Sequence, residues 1–260
     1  MIYISFTWVT HLRVGGRVAS RSLFAALAVL MSPIVSGGCM AGQEESAEVA
    51  RRRMVDQQLR GRDITDERVL QAMGRIPRHL FVEPSLERMA YDDRPLPIGS
   101  GQTISQPYIV ALMTQLLQVQ PRDRVLEVGT GSGYQAAVLA ELAAEVFSVE
   151  IIGSLAEAAR TRLETLGYRN VRVRHGDGYE GWREAAPFDA IMVTAGAPKV
   201  PPPLIEQLRE GGRMAIPIGG SRATQDLILG EKRDGKLQSR SVAPVLFVPL
   251  TGKGSPQNGR

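Results

Sequence analysis

Residues 124–150 read RVLEVGTGSGYQAAVLAELAAEVFSVE, and the fold of the chain follows from them. Val125, Leu126 and Val128 form an apolar, β-branched run of the kind a buried parallel strand requires, and it passes straight into Gly129-Thr-Gly-Ser-Gly133. An alanine- and leucine-rich helix is expected over 134–145, then a second strand at Val146–Val149 closed by Glu150. This is a βαβ unit. Its glycine turn lets backbone approach a ligand closely, and the helix behind the turn directs its free N–H groups and positive end at the same place. Glu150 lies about 20 residues after the first glycine, where an acid can bind ribose hydroxyls. The unit reads as a nucleoside cradle.

The glycine spacing narrows that reading. Tyr134 stands where a dinucleotide fingerprint needs its third glycine or alanine, so an NAD domain is disfavoured. Glu127 adds a carboxylate at the end of the first strand, a poor neighbour for a pyrophosphate and a good one for an ammonium group. A cationic cofactor fits better.

A chain of 260 residues with 43% hydrophobic residues can bury a full core. Its net charge of +4 owes much to an acid-free N-terminus, with Glu44 the first acid, so the charge is not a nucleic-acid footprint. Cys39 is the only cysteine, and the histidines are His11, His79 and His175. That inventory argues against zinc and thiol chemistry. His79, beside Leu80 and Phe81, reads as a packed structural histidine.

Residues 1–39 stand apart as a signal-like or unstructured extension. A basic start leads into an apolar run from Leu23 to Val35, too short to span a bilayer comfortably, and then Ser36-Gly-Gly-Cys39. Small residues before a lone cysteine resemble a lipoprotein cleavage site, though Ser36 departs from it. An export signal and an upstream extension from a misplaced start both stay open, and membrane attachment is expected only if Cys39 is lipidated.

The remainder reads as one domain over 40–250 and a disordered tail over 251–260. A polar helix is expected over 44–61, then a short one capped by Thr65 and ended by Pro77. Residues 91–107 are rich in turn formers and carry Thr103 and Ser105 towards a helix at Ile109–Leu117. Ser105 either caps that helix or holds an anion, and the two roles can coexist. A helix at Leu155–Leu166 precedes a strand at Val171–His175, which runs into Gly176-Asp177-Gly178. Asp177 at a strand end can accept a hydrogen bond from an adenine amino group. A strand at Phe188–Thr194, a helix over 204–212 and a strand at Arg213–Ile216 follow, and the domain closes with an antiparallel hairpin from Gln225 to Leu250. Asn258-Gly259 in the tail is an asparagine before a glycine, a pair prone to chemical ageing in a flexible segment.

Three acids at successive strand ends, Glu127, Glu150 and Asp177, with the glycine turn between the first two, resemble the class I methyltransferases. Within that fold, Gly101-Gln-Thr-Ile-Ser-Gln-Pro107, Val125–Tyr134, Gly176-Asp-Gly178 and Val193-Thr-Ala-Gly-Ala-Pro198 resemble protein-L-isoaspartate O-methyltransferases, over about residues 45–250. The resemblance implies an α/β, Rossmann-like, mostly parallel sheet flanked by helices, with an N-terminal helical cap and a C-terminal antiparallel hairpin. It implies S-adenosylmethionine as co-substrate, held by Glu127, Gly129, Thr130, Gly131, Gly133, Glu150, Asp177 and Gly178. It also implies methylation of the α-carboxylate of L-isoaspartyl residues in damaged peptides and proteins, which starts repair through a succinimide. Ser105 corresponds to the family's active-site serine, and Thr103, Thr194 and Ala195 to its peptide site. Members are usually cytoplasmic; a periplasmic or lipid-anchored location is the alternative that residues 1–39 raise. A carboxylate is ionised at neutral pH and needs no strong general base, which suits a chain poor in histidine. The rivals are a nucleic-acid methyltransferase, disfavoured because Thr194-Ala-Gly-Ala replaces the Asn/Asp-Pro-Pro-aromatic of amino-directed enzymes, and a non-catalytic module that binds damaged protein.

Overall fold

The structure is a computed structural model and describes residues 47–220 and 223–255. The signal-like segment with Cys39 and the Asn258-Gly259 pair lie outside the described residues. Helix α1 covers residues 47–53 and continues in a wider π wind over Met54–Arg60, burying Met54, Val55 and Leu59. Helix α2 (Glu67–Arg75) starts one residue later than expected. Asp66, not Thr65, is its cap and accepts a hydrogen bond from the Arg68 amide at 2.9 Å. Thr65 is engaged elsewhere, its amide donating to Oε1 of Gln115 at 2.7 Å. Asp66→Ala is expected to cost about 1 kcal/mol of stability, read as a lowered Tm with unchanged cofactor affinity.

The stretch over 91–107 is more than a loop, since Leu96–Pro97 (β1) pairs antiparallel with Thr103–Ile104 (β2). Helix α3 (Pro107–Leu117) follows, with Pro107 in its first turn and Gln106 as a cap whose side chain makes no bond to the helix's own amides and instead donates to Asp93 Oδ2 at 2.9 Å. The remote Asp93 serves instead, Oδ1 accepting from the Tyr108 amide at 3.1 Å. Ser105 is therefore not spent on capping.

The sheet is built from β3 (Arg124–Val128), β4 (Glu145–Glu150), β5 (Val171–His175), β6 (Phe188–Val193), β7 (Leu208–Ile218), β8 (Gln225–Arg233) and β9 (Lys236–Val245), in the order β5-β4-β3-β6-β7-β8-β9. The first five run parallel and the last two close the edge as an antiparallel hairpin. Helices α4 (Tyr134–Ala140), α5 (Gly153–Thr165) and α6 (Pro202–Gln207) make connections between the parallel strands. The fold is therefore the mostly parallel α/β sheet with a C-terminal hairpin that the sequence implies. From β3 the chain winds outward to β4 and β5, then returns to β6 on the other side of β3. That reversal opens a crevice at the carboxyl ends of β3 and β6, the place where open α/β sheets bind ligands.

Strand alternation divides the core. Val125, Val146, Ala190 and Met192 face one apolar layer shared with the N-terminal helices, whereas Leu126, Val128, Phe147, Val149, Ile191 and Val193 face the other. Helix α4 ends at Ala140, short of the expected 145, because the Asn170 side-chain amide donates to the Ala140 and Ala143 carbonyls and satisfies the helix end. The helix after Pro201 also stops early, at Gln207, since Leu208 already pairs with Phe188 as part of β7.

Candidate active site

The glycine turn leaves β3 with Gly129, Gly131 and Gly133 all at positive φ. At Gly129 (φ +98°) a Cβ would lie 2.3 Å from the Thr194 hydroxyl, so only glycine fits against the end of β6. Thr194 Oγ1 donates to the Gly129 carbonyl at 2.6 Å, fixing the turn to β6.

Glu127 is fully buried beside Ser148, its neighbour in register on β4. The Ser148 hydroxyl donates to Oε2, and Ser148 and Thr130 hydroxyls lie 2.6 Å apart. Oε1 has no hydrogen-bond partner among the described residues. Burial pushes the Glu127 carboxyl up to about 8, with the Ser148 bond opposing and the nearby Glu150 charge adding to the rise. A buried carboxylate with one orphaned oxygen suits a cation arriving at that oxygen. Glu150 is oriented differently. Its Oε2 accepts from the Gly131 amide at 2.8 Å and its Oε1 from the Ile152 amide at 2.9 Å, so it braces the turn while lining the adjoining cavity.

Two cavities meet here. One is narrow, about 60 Å³, and is lined by Gly129, Gly131, Glu150, Gly178, Ala195 and the segment Val248–Thr251. The second, about 440 Å³, is lined by Ser105, Gln106, Ile109 and Pro244–Val248, within the ~300–1,000 Å³ range of small-molecule sites. Thr103, Thr194 and Val248 belong to both and form the wall between them. Among the described residues the Ser105 hydroxyl makes no hydrogen bond, while its carbonyl accepts from Arg78 at 2.8 Å. A groove of about 750 Å³ between α3 and the hairpin is larger. It contains neither the glycine turn nor any of the three strand-end acids, so the chemistry is assigned to the smaller pair.

Several placements differ from the sequence reading. Glu127 and Asp177 line neither cavity: Glu127 is fully buried, and Asp177 accepts from the Tyr179 amide at 2.9 Å (Oδ1) and the Lys253 amide at 2.7 Å (Oδ2), with Gly178 facing the narrow cavity instead. Residues 252–254, in the part of the chain expected to be a disordered tail, lie against Asp177 and Tyr179. Thr130 is spent on the Ser148 network, and Gly133 packs on Leu163. Ala195 lies on the narrow-cavity side and not on the Ser105 side. Nor is the backbone of Gly196 and Ala197 free to hold a peptide. Gly196 exchanges hydrogen bonds with Val248 and Leu250, and Ala197 with Pro217 and Gly219. His79 is structural as expected, with Nδ1 2.8 Å from the Tyr91 hydroxyl.

A family model described as protein-L-isoaspartate(D-aspartate) O-methyltransferase matches residues 49–255. The chain belongs to this family. It is 56% identical over 227 residues to a protein-L-isoaspartate O-methyltransferase of Opitutus terrae, covering 87% of this chain and 97% of that protein. A protein-L-isoaspartate O-methyltransferase 2 of Polaromonas is 60% identical over 194 residues, covering 74% and 92%. Among solved structures, one named protein-L-isoaspartate O-methyltransferase aligns with TM-score 0.71 at 32% identity, covering 78% of this chain and 67% of that one. A Plasmodium falciparum structure, described as a putative member in complex with S-adenosyl-L-homocysteine, aligns with TM-score 0.68 at 28% identity, covering 77% and 98%.

Sequence reasoning passes over the Pro244–Thr251 run and Arg78. The run reads as the last strand, but β9 stops at Val245 and residues 246–251 turn back along both cavities. Two prolines within it, Pro244 and Pro249, are the available signal that the strand ends there.

Proposed function

We propose that this protein transfers a methyl group from S-adenosylmethionine to the α-carboxylate of L-isoaspartyl residues, with the cofactor against the glycine turn and the damaged residue in the Ser105 cavity. The observation that carries the residue assignment is the shared wall. Among the described residues Thr103, Thr194 and Val248 alone line both cavities, so a donor in one and an acceptor in the other meet there.

The residues present fit the cofactor chemically. Glu127 Oε1 is a buried acceptor without a partner, suited to the methionine ammonium, and Glu150 lines the cavity with lone pairs left for ribose hydroxyls. Gly129 and Gly131 keep side chains out of the approach. At about 60 Å³ the cavity is narrow for a nucleoside, and Val248–Thr251 are the residues that must give way to admit one. Adenine recognition falls to Gly178 and, once residues 252–254 move aside, to Asp177.

When bound, the cofactor supplies an activated methyl on a sulfonium. Chemistry on the protein side is then placement. The α-carboxylate is already ionised and nucleophilic, so the site must align it and strip water from the attacking oxygen. Ser105 presents a hydroxyl that can donate to the other carboxylate oxygen, and Thr103 and Thr194 shape the passage between the cavities. The ester product closes to a succinimide without further catalysis, the backbone amide nitrogen displacing methanol, and water reopens the ring in part as normal aspartate.

Ser105→Ala is expected to lower kcat/KM for an isoaspartyl peptide by about tenfold, the worth of one hydrogen bond to a charged group, with cofactor affinity unchanged. The proposal itself is tested with labelled cofactor offered to an isoaspartyl peptide, its aspartyl counterpart and RNA. Label in the first alone supports it; label in RNA alone would overturn it. Partners are damaged peptides and proteins; nothing favours nucleic acid, and no described helix is long and apolar enough to cross a membrane.

A further inference from the structure

Arg78 heads the largest fully buried side chains among the described residues, at 0% exposure. It sits in the 3₁₀ turn Arg78–Phe81, in the helical cap that precedes the sheet. Its Nε donates to the Ala90 carbonyl at 2.7 Å, its Nη2 donates to the Ser105 carbonyl at 2.8 Å, and its Cζ lies 4.7 Å from the centre of the Tyr134 ring. Those three contacts join the cap, the Ser105 loop and the first residue of α4, immediately behind the glycine turn.

What the guanidinium lacks is a counter-charge. No carboxylate forms a salt bridge with it among the described residues, and Nη1 has no hydrogen bond of ordinary geometry. Asp93, the acid whose charge it feels, is committed to Arg62, Gln106 and the Tyr108 amide. A cation withheld from water without a carboxylate is strongly unfavourable, and two carbonyls and an aromatic face offset only part of that cost. Burial accordingly lowers the guanidinium to about 10. A staple between two carbonyls has no need of a charge so expensively placed. An anion bound beside Ser105 does.

We infer that Arg78 is a positioning residue of the methyl-acceptor site, holding the Ser105 loop through the Ser105 carbonyl and favouring an anionic acceptor over a neutral one by its buried charge. The inference rests on the Ser105 cavity being the acceptor site. Arg78 lines neither cavity, so its effect passes through the loop and through the local potential.

The test uses the full chain with S-adenosylhomocysteine bound, and two peptides: one with an isoaspartyl residue, and the same peptide with the α-carboxylate replaced by a carboxamide. The ratio of their dissociation constants reports preference for the anion. Wild type is expected to prefer the anion, and Arg78→Met to lose about tenfold of that preference, the scale of one charge-assisted contact. Arg78→Lys keeps the charge and is expected to keep most of the preference, while kcat falls because an ammonium cannot span both carbonyls. A folded Arg78→Met protein with the wild-type ratio would overturn the inference. Should that variant not fold, Arg78→Lys decides. A fall in kcat with unchanged affinity for S-adenosylhomocysteine supports the inference, and an unchanged kcat, or equal losses of both, overturns it. Wild type that fails to methylate the isoaspartyl peptide would instead remove the functional reading beneath it, a result separate from any behaviour of the variants.

Discussion

Replacing Gly129 by valine is expected to abolish cofactor binding, with the dissociation constant for S-adenosylhomocysteine rising at least about a hundredfold, equivalent to roughly 3 kcal/mol. Two effects add. The position has φ +98°, where a β-branched side chain is strained, by about 1–3 kcal/mol. Its Cβ would also fall 2.3 Å from Thr194 Oγ1, which donates to the same residue's carbonyl at 2.6 Å, so the bond that holds the turn against β6 must break. Strain alone is separable from loss of the cradle. Gly167 has φ +86°, with no atom within 4 Å of where a Cβ would lie; Gly167→Ala is expected to cost about 1 kcal/mol in stability and to leave cofactor affinity intact. Calorimetry on the two variants compares the effects directly.

The second large effect belongs to Glu127. Its carboxyl is held up to about 8 from an ordinary 4.5, chiefly by burial. Between those two values the free folded protein keeps a proton that the unfolded chain has lost, so this group's contribution to stability declines as pH rises from 4.5 towards 8. Binding works in the opposite sense. A cofactor ammonium beside Oε1 favours the ionised form, so the complex releases the proton that the free protein held. Affinity is therefore expected to rise with pH through that window, by up to about tenfold per unit, and to level off above the free protein's pKa. Glu127→Gln removes both the charge and the titration. It is expected to weaken cofactor binding by about a hundredfold and to abolish proton release, measured by calorimetry in buffers of different ionisation heat. Proton release that persists in Glu127→Gln would assign the linkage to another group.

The parts of the molecule legible in the sequence are those where function and local geometry demand the same residues. Gly129-Thr-Gly-Ser-Gly133 follows β3 because the turn needs positive φ at its glycines, and Glu150 ends β4 where the narrow cavity opens. What is not legible depends on partners distant in the chain. Arg78 meets Ser105 across 27 positions, and nothing local marks it as buried. Thr65 and Asp66 are both good caps, and only Gln115, 50 residues from Thr65, decides between them. Asn170 stops α4 from another loop. Asp177 is legible as a strand-end acid, yet its carboxylate is covered by the Lys253 amide, 76 residues on. A polar, glycine-rich tail gives no local sign of that contact, because the amide that makes it is backbone and independent of side-chain type.

The most direct measurement follows one isoaspartyl peptide over time by chromatography, with the protein and S-adenosylmethionine together and with each omitted. With both present, the isoaspartyl peak is expected to take up one base-labile methyl and then drain into succinimide and aspartyl peptides, at a rate that Ser105→Ala lowers. A methyl that survives mild base, or equal labelling of the aspartyl peptide, would contradict the account.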